Sequence, residues 1–234
     1  KDSFSSAYFN LANCYVQKGE FETAIAYYTK TFEHETPQAI TYNYIGECYE
    51  KLNKNEEALT NYNLAIEMDD KLADAWLGKA IVRDRMGFTS ESIALLRTAI
   101  DLDEENPEYW YVLGEAYEKL EKLDTAKDCY EIVVNIEAGN VEAWLDYSNA
   151  VSVVDGEEQA LEILQKALEV NQGNEELMYR MVAYLLQTGR QESAKSQLQK
   201  ALDQNFDAHE KLFNYYPEAK NINDVLSIIE SFKN

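Results

Sequence analysis

Residues 106–133 read NPEYWYVLGEAYEKLEKLDTAKDCYEIV. Asn106 followed by Pro107 is a helix start: the Asn side chain can cap free backbone N–H groups, and proline fits the first helical position. Trp110, Leu113, Gly114 and Tyr117 then recur at three- and four-residue steps, the spacing of one apolar helix face. A second helix carries Leu123, Ala126, Tyr130 and Val133 on one face. The stretch therefore reads as two short helices joined by a tight turn.

Working outward, the same pattern returns every 34 residues. Ala12, Gly46, Ala80, Gly114 and Ser148 keep this beat, as do Ala24, Ala58, Ser92, Ala126, Ala160 and Ala194. So do the larger Tyr8, Tyr42, Trp76, Trp110 and Trp144, and the polar Asn106, Asn140 and Asn174. Six units follow, 5–38, 39–72, 73–106, 107–140, 141–174 and 175–208. Small residues belong where two helices cross closely, since a larger side chain would push the backbones apart. Gly19, Gly87 and Gly189 fall at the joint between helices, where a left-handed residue is needed. A period of this length marks an array of supersecondary units, each burying its apolar face against its neighbours.

The order aromatic, Leu, Gly/Ala, Tyr, Ala, aromatic, small or aliphatic resembles the tetratricopeptide repeat (TPR) family, for example in Trp110, Leu113, Gly114, Tyr117, Ala126, Tyr130 and Val133. The resemblance spans residues 5–208. It implies an all-α fold, a right-handed superhelical solenoid of antiparallel helix pairs, with a concave groove lined by the first helix of each pair. Residues 209–234 read as capping helices: Leu212 and Tyr215 point inward, Pro217 interrupts, and Val225, Ile228, Ile229 and Phe232 form a helical stripe. This Pro-Glu tail resembles the ends of some bacterial members. At the other end nothing in the sequence caps the first unit, and the chain begins at Lys1 rather than Met. An upstream continuation, or an interface at that end, is therefore expected. Lys79 and Arg83 stand where the first unit has Leu11 and Tyr15. That makes the third unit a candidate for local irregularity. The pair is expected either to snorkel past the core and meet nearby acids, or to seat a ligand carboxylate.

Composition narrows the function. The 234 residues include 21 Lys and Arg against 43 Asp and Glu, a net charge of −22. Such a surface repels phosphate backbones and anionic lipid, so neither nucleic acid nor a membrane surface is an expected partner. No apolar run exceeds six residues, too short to span a bilayer. The acids cluster: residues 101–142 hold 13 of them against three bases. Three cysteines are too few for a disulfide scaffold. Cys14 and Cys48 occupy one repeat position, roughly 10 Å apart by helix spacing, beyond disulfide reach. All three are expected to be buried thiols in a reducing, cytoplasmic compartment.

Catalytic chemistry finds no foothold. The two histidines, His34 and His209, lie at opposite ends of the array, no Cys/His set has zinc spacing, and phosphate-binding and nucleophile motifs are missing. No cofactor is implied and a non-enzymatic role is expected. By the resemblance, the groove would be lined by Phe9, Asn13, Asn43, Tyr44, Glu47, Asp74, Leu77, Tyr111, Glu115, Glu118, Leu145, Asp146, Asn149, Tyr179 and Arg180. Aromatic and aliphatic groups alternating with carboxylates suit a basic or amphipathic peptide. The sequence thus predicts a protein-binding scaffold or adaptor. Self-association into a homo-oligomer, and service as the recognition arm of a larger enzyme, are the alternatives.

Overall fold

The computed structural model describes residues 2–233, with side chains from Phe4 onward. Its α-helices run α1 Asp2–Gln17, α2 Phe21–Thr31, α3 Ala39–Lys51, α4 Asn55–Met68, α5 Ala73–Arg85, α6 Thr89–Leu102 and α7 Pro107–Lys119. They continue with α8 Leu123–Ile136, α9 Val141–Val154, α10 Glu157–Val170, α11 Glu175–Gln187, α12 Gln191–Gln204, α13 Glu210–Tyr215 and α14 Asn223–Ser231. No strand occurs among the described residues. The helices divide into two compact units, one ending at Leu120 and the other starting at Glu121. The division falls in the joint between α7 and α8.

In the first unit α1 packs on α2, α3 on α4 and α5 on α6, and each second helix also packs on the next first helix. The 34-residue series explain why. Ala12, Ala24, Ala58, Ala65, Ala80 and Ala99 have no exposed surface, so each sits at a close crossing. Tyr28 and Tyr62, also 34 apart, are buried between the helix layers. A Cβ added at Gly46 would lie 2.8 Å from the Tyr62 ring, so that glycine gives the tyrosine its seat. The helix α5 is continuous through Lys79 and Arg83, so the irregularity expected there is absent. Arg83 pairs with Glu91 at 3.2 Å and lies over Phe88, while Lys79 lies over Trp76. Both cations have found local partners, which favours snorkelling over a ligand role.

The helix joints follow one geometry. Gly19 and Gly87 have φ of +74° and +89°. The N–H after each reaches back five residues: Glu20 N to Tyr15 O and Phe88 N to Arg83 O, both 2.9 Å. This closes the helix end in the Schellman manner. Asn53 and Glu121 hold the same register with φ of +57° and +58°.

The second unit repeats the pairing in α9 with α10 and α11 with α12. Asn140 and Asn174 cap α9 and α11, accepting from Ala143 N and Leu177 N at 3.0 and 3.1 Å, as Asn106 caps α7 in the first unit. Trp144 Nε1 donates to Ala138 O, six residues back, tying the inter-repeat loop to the helix. Trp76 and Trp110 make the same bond to Asp70 O and Glu104 O. The chain ends with α13 against α11 and α14 against α12, burying Leu212, Val225 and Ile229. Pro217 opens a 3-10 turn, Pro217–Asn221, rather than only stopping α13.

The cysteine expectation fails at one position. Cys48 is 2% exposed, and burial raises its thiol pKa to about 12. Cys14, its equivalent, is exposed. The reason is positional: α2 packs on α3 over Cys48, whereas no described helix precedes α1.

Candidate functional site

The first helices α1, α3, α5 and α7 present one face of the first unit, and two features on it adjoin. The first is aromatic. Phe9 meets Tyr28 and Tyr44 edge-on at 5.4 and 5.5 Å, and Tyr28 stacks on Tyr44 at 5.7 Å. Tyr28 reaches this face from α2, its hydroxyl donating to Asn13 Oδ1.

The second feature is a cavity of about 310 Å³ walled by Glu47, Glu50, Lys51, Asp74, Leu77, Ile81 and Glu108, with Tyr62 and Gly78 at its floor. One repeat position at its border stands out. Asn10, Tyr44, Gly78, Val112, Asp146 and Arg180 share that register. At Gly78 the side chain is missing, and Tyr62 fills the space a Cβ would need. The Tyr62 hydroxyl donates to Glu50 Oε2 at 3.0 Å.

Four carboxylates face this cavity, and they differ in how they are satisfied. Glu50, 7% exposed, is paired with Arg85 at 2.9 Å as well as with Tyr62. Asp74 accepts from the Tyr109 hydroxyl at 2.6 Å. Glu47 accepts from Asn43 Nδ2 at 2.6 Å. Burial nonetheless pushes the Glu47 carboxyl up to about 7, with Asp74 and Glu50 adding repulsion against the opposing bond from Asn43. Glu108 is likewise raised, by burial and then by Asp74. A desolvated carboxylate beside like charges favours whatever brings positive charge. Lys51 is the cation on the cavity wall.

The structure sorts the sequence-predicted site residues. Phe9, Asn13, Tyr44, Glu47, Asp74 and Leu77 belong to the two features just described. Asn43 is 1% exposed, so it positions Glu47 and does not meet a ligand itself. Tyr111 and Glu118 on α7 are partly exposed and Glu115 is exposed. In the second unit Leu145, Asp146, Asn149 and Arg180 are partly exposed. Tyr179 is a correction: it has no exposed surface, and its hydroxyl donates to Asn205 O at 2.9 Å. It packs the core between α11 and the segment after α12, because its position turns away from the face that carries Arg180. Reading the sequence missed Gly78, Tyr62 and Arg85 as builders of the cavity. A glycine in an otherwise side-chain-bearing groove series was the signal available. Among the described residues, no group of three or more His, Cys, Asp and Glu is arranged to hold a metal ion.

Sequence profiles described as tetratricopeptide repeat match residues 4–71, 107–140 and 158–212, and one described as TPR repeat matches 85–121. The chain belongs to the tetratricopeptide repeat family. Members generally serve as protein–protein interaction scaffolds and are typically non-catalytic. Comparison with curated proteins gives no match. Among solved structures the fold is similar to PilF of Pseudomonas aeruginosa, with a TM-score of 0.72 at 16% identity over 93% of this chain and 98% of that one. It is similar to YrrB, described as a TPR protein with an unusual peptide-binding site, with a TM-score of 0.64 at 24% identity over 83% and 98%. MamA of Desulfovibrio magneticus RS-1 gives 0.62 at 17% identity over 73% and 96%. At these identities the likeness is one of fold. No helix among the described residues is long and apolar enough to cross a membrane.

Proposed function

We propose that the protein is a non-enzymatic scaffold whose first unit holds a partner segment presenting a Lys or Arg beside an aromatic or apolar residue. The cavity under Gly78 carries this reading. It is large enough for one long basic side chain, and its carboxylates outnumber its cations. A ligand ammonium or guanidinium would offset the burial, and the smaller repulsion from Asp74 and Glu50, that raise the Glu47 carboxyl to about 7. The neighbouring Phe9 and Tyr44 rings, backed by the buried Tyr28, offer desolvated contact for an adjoining apolar residue. A peptide ligand is also what the description of YrrB names for that protein.

The test uses a fluorescein-labelled peptide of alternating Lys and Leu and its norleucine-for-Lys analogue, followed by anisotropy. The Lys peptide is expected to bind, to weaken as salt screens the exposed charges, and to lose about tenfold in affinity in the Glu47→Gln, Glu108→Gln double variant. Equal binding of both peptides, insensitive to salt and to the variant, would discard the proposal.

A specific observation favours a second contact, with another copy of the chain. Leu11 and Cys14 are exposed on α1, Leu11 at 38%, while their equivalents Ile45 and Cys48 on α3 are 4% and 2% exposed. Phe4, at 62%, extends the same apolar end. This face is the kind that a neighbouring helix covers elsewhere in the array.

A further inference from the structure

A cleft of about 820 Å³ lies in the second unit, between α10 and α12 and above α11. It opens among the second helices of the repeats, not on the face that the first helices present. Leu161, Met181 and Leu185 form its floor, at 6%, 8% and 8% exposure. Two of these positions differ from their counterparts. At the register of Leu185 stand Tyr15, Arg83 and Tyr117, and each reaches a second helix. Tyr15 stacks on Tyr27 at 5.2 Å, Arg83 pairs with Glu91 at 3.2 Å, and Tyr117 accepts from Arg97 at 2.6 Å. At the register of Leu161 stands Lys127, which pairs with Asp155 at 2.8 Å. Leucine at both positions has no polar end to make such a bridge.

Charge orders the cleft along its length. Glu158 and Lys166 on α10 share registers with Glu192 and Lys200 on α12. Equivalent helices of a repeat array run the same way, so the acids mark one end and the lysines the other. The ends are about 12 Å apart at the helical rise per residue. At the acid end both carboxylates are paired, Glu158 with Arg190 across the cleft and Glu192 with Lys195 at 3.0 Å. At the other end the cations are not. Among the described residues neither Lys166 nor Lys200 enters an ion pair, although Glu162 lines the same wall one turn before Lys166.

A cleft of this size, with an apolar floor and a few polar groups at its ends, has the build of a small-molecule site. Its floor residues are more than nine-tenths buried, so what reaches them is a slender chain, not the broad face of a helix. Met181 adds a flexible thioether that can follow such a chain. The apolar end of α1 from a second copy is a poorer occupant, because residues 4–17 include no charge to meet the lysines. We infer that the cleft binds a medium-chain aliphatic carboxylate, its tail along Leu161, Met181 and Leu185 and its head between Lys166 and Lys200. This inference does not rest on the acidic cavity of the first unit, which takes the opposite charge.

The test follows the Met181 methyl signal in the full chain labelled with carbon-13 at its methionine methyls, assigned as the one that vanishes in Met181→Leu. Three probes are titrated near neutral pH, below their micelle concentrations: decanoate, butyrate and decyltrimethylammonium. Decanoate is expected to move the signal saturably. Butyrate, which has the head without the tail, should leave it in place. A net charge of −22 favours the cationic amphiphile everywhere else on the protein, so a preference for decanoate is a property of this cleft. The Lys166→Gln, Lys200→Gln double variant changes two exposed side chains and should bind decanoate about tenfold more weakly with its melt retained. Leu185→Tyr, which restores the residue of earlier repeats, should abolish the response. If decanoate leaves the wild-type signal in place, or moves it no more than decyltrimethylammonium does, the inference is overturned. A signal that shifts on concentrating the protein alone would assign the cleft to a second copy and overturn it equally. Both readings come from wild type and stand even if a variant fails to fold.

Discussion

A carboxylate buried beside other acids holds its proton more tightly, and Glu47 is placed in that way. Its ordinary value is 4.5 and its folded value about 7, so between these the folded state binds more protons than the unfolded one. Stability therefore falls as pH rises from 4.5 to 7, and the penalty is complete above 7. Its size is about 1–3 kcal/mol. Glu47→Gln keeps an acceptor for Asn43 and removes the charge. Denaturant unfolding at pH 8 should find the variant more stable than wild type by about that amount, with the difference shrinking toward pH 5. The same gap at both pH values would show that Glu47 is not strained. Basic-peptide binding should strengthen over the same rise, as Glu47 loses its proton. The resemblance named Glu47, Asp74, Phe9 and Tyr44 by repeat position, and these residues border the cavity and the aromatic cluster of the candidate site. What sequence could not give was the cavity, because it depends on how the walls from α3, α5 and α7 pack around the Tyr62 ring that Gly78 makes room for. Tyr179 was misplaced for a related reason. An amphipathic residue type is compatible with either side of a helix, and packing against Asn205 decided it.

At the scale of the element, the helix joints show how far a repeat can be read and where it cannot. Gly19, Gly87 and Gly189 announced left-handed joints, and all three have positive φ. In the second and fourth repeats the same backbone is carried by Asn53 and Glu121, which announce nothing comparable. In the fifth, the left-handed residue is Gly156, one position later, and α9 runs to Val154 with one residue more than α3, α5, α7 or α11. The backbone demand is thus periodic while the residue supplying it is not. This separates the cost of conformation from the cost of contacts. A Cβ at Gly87 would touch nothing within 4 Å, so Gly87→Ala should lose about 1 kcal/mol from φ alone. Glu121→Gly should gain up to about 1 kcal/mol, and Asn53→Gly less, since Asn tolerates this region better than Glu. Thermal melts of the three variants give the order directly. A Glu121→Gly protein that melts below wild type would show that its side chain contributes more than its backbone costs.

For the whole molecule, charge separates the two interactions proposed for the first unit. Each copy carries −22, so two copies repel, and added salt weakens that repulsion. Contact through the apolar end of α1 should accordingly strengthen with salt, whereas a basic segment should leave the acidic cavity as salt rises. The 34-residue period led to the expectation of an upstream continuation or an interface at this end, and exposure at Leu11 and Cys14 is a property of packing that the sequence did not give. Light scattering at increasing protein concentration and at low and high salt measures the outcome. Wild type should rise above 26.9 kDa with concentration, more so at high salt, while Leu11→Asp, which places a charge on the exposed face, should stay at 26.9 kDa. Leu11 is 38% exposed, so an Asp there can keep its carboxylate in water, and a melt retained by the variant shows that the helix pairs stay intact. A wild type that keeps the mass of one chain under every condition would leave the face of α1 without a second copy, and peptide capture as the one interaction proposed for the first unit.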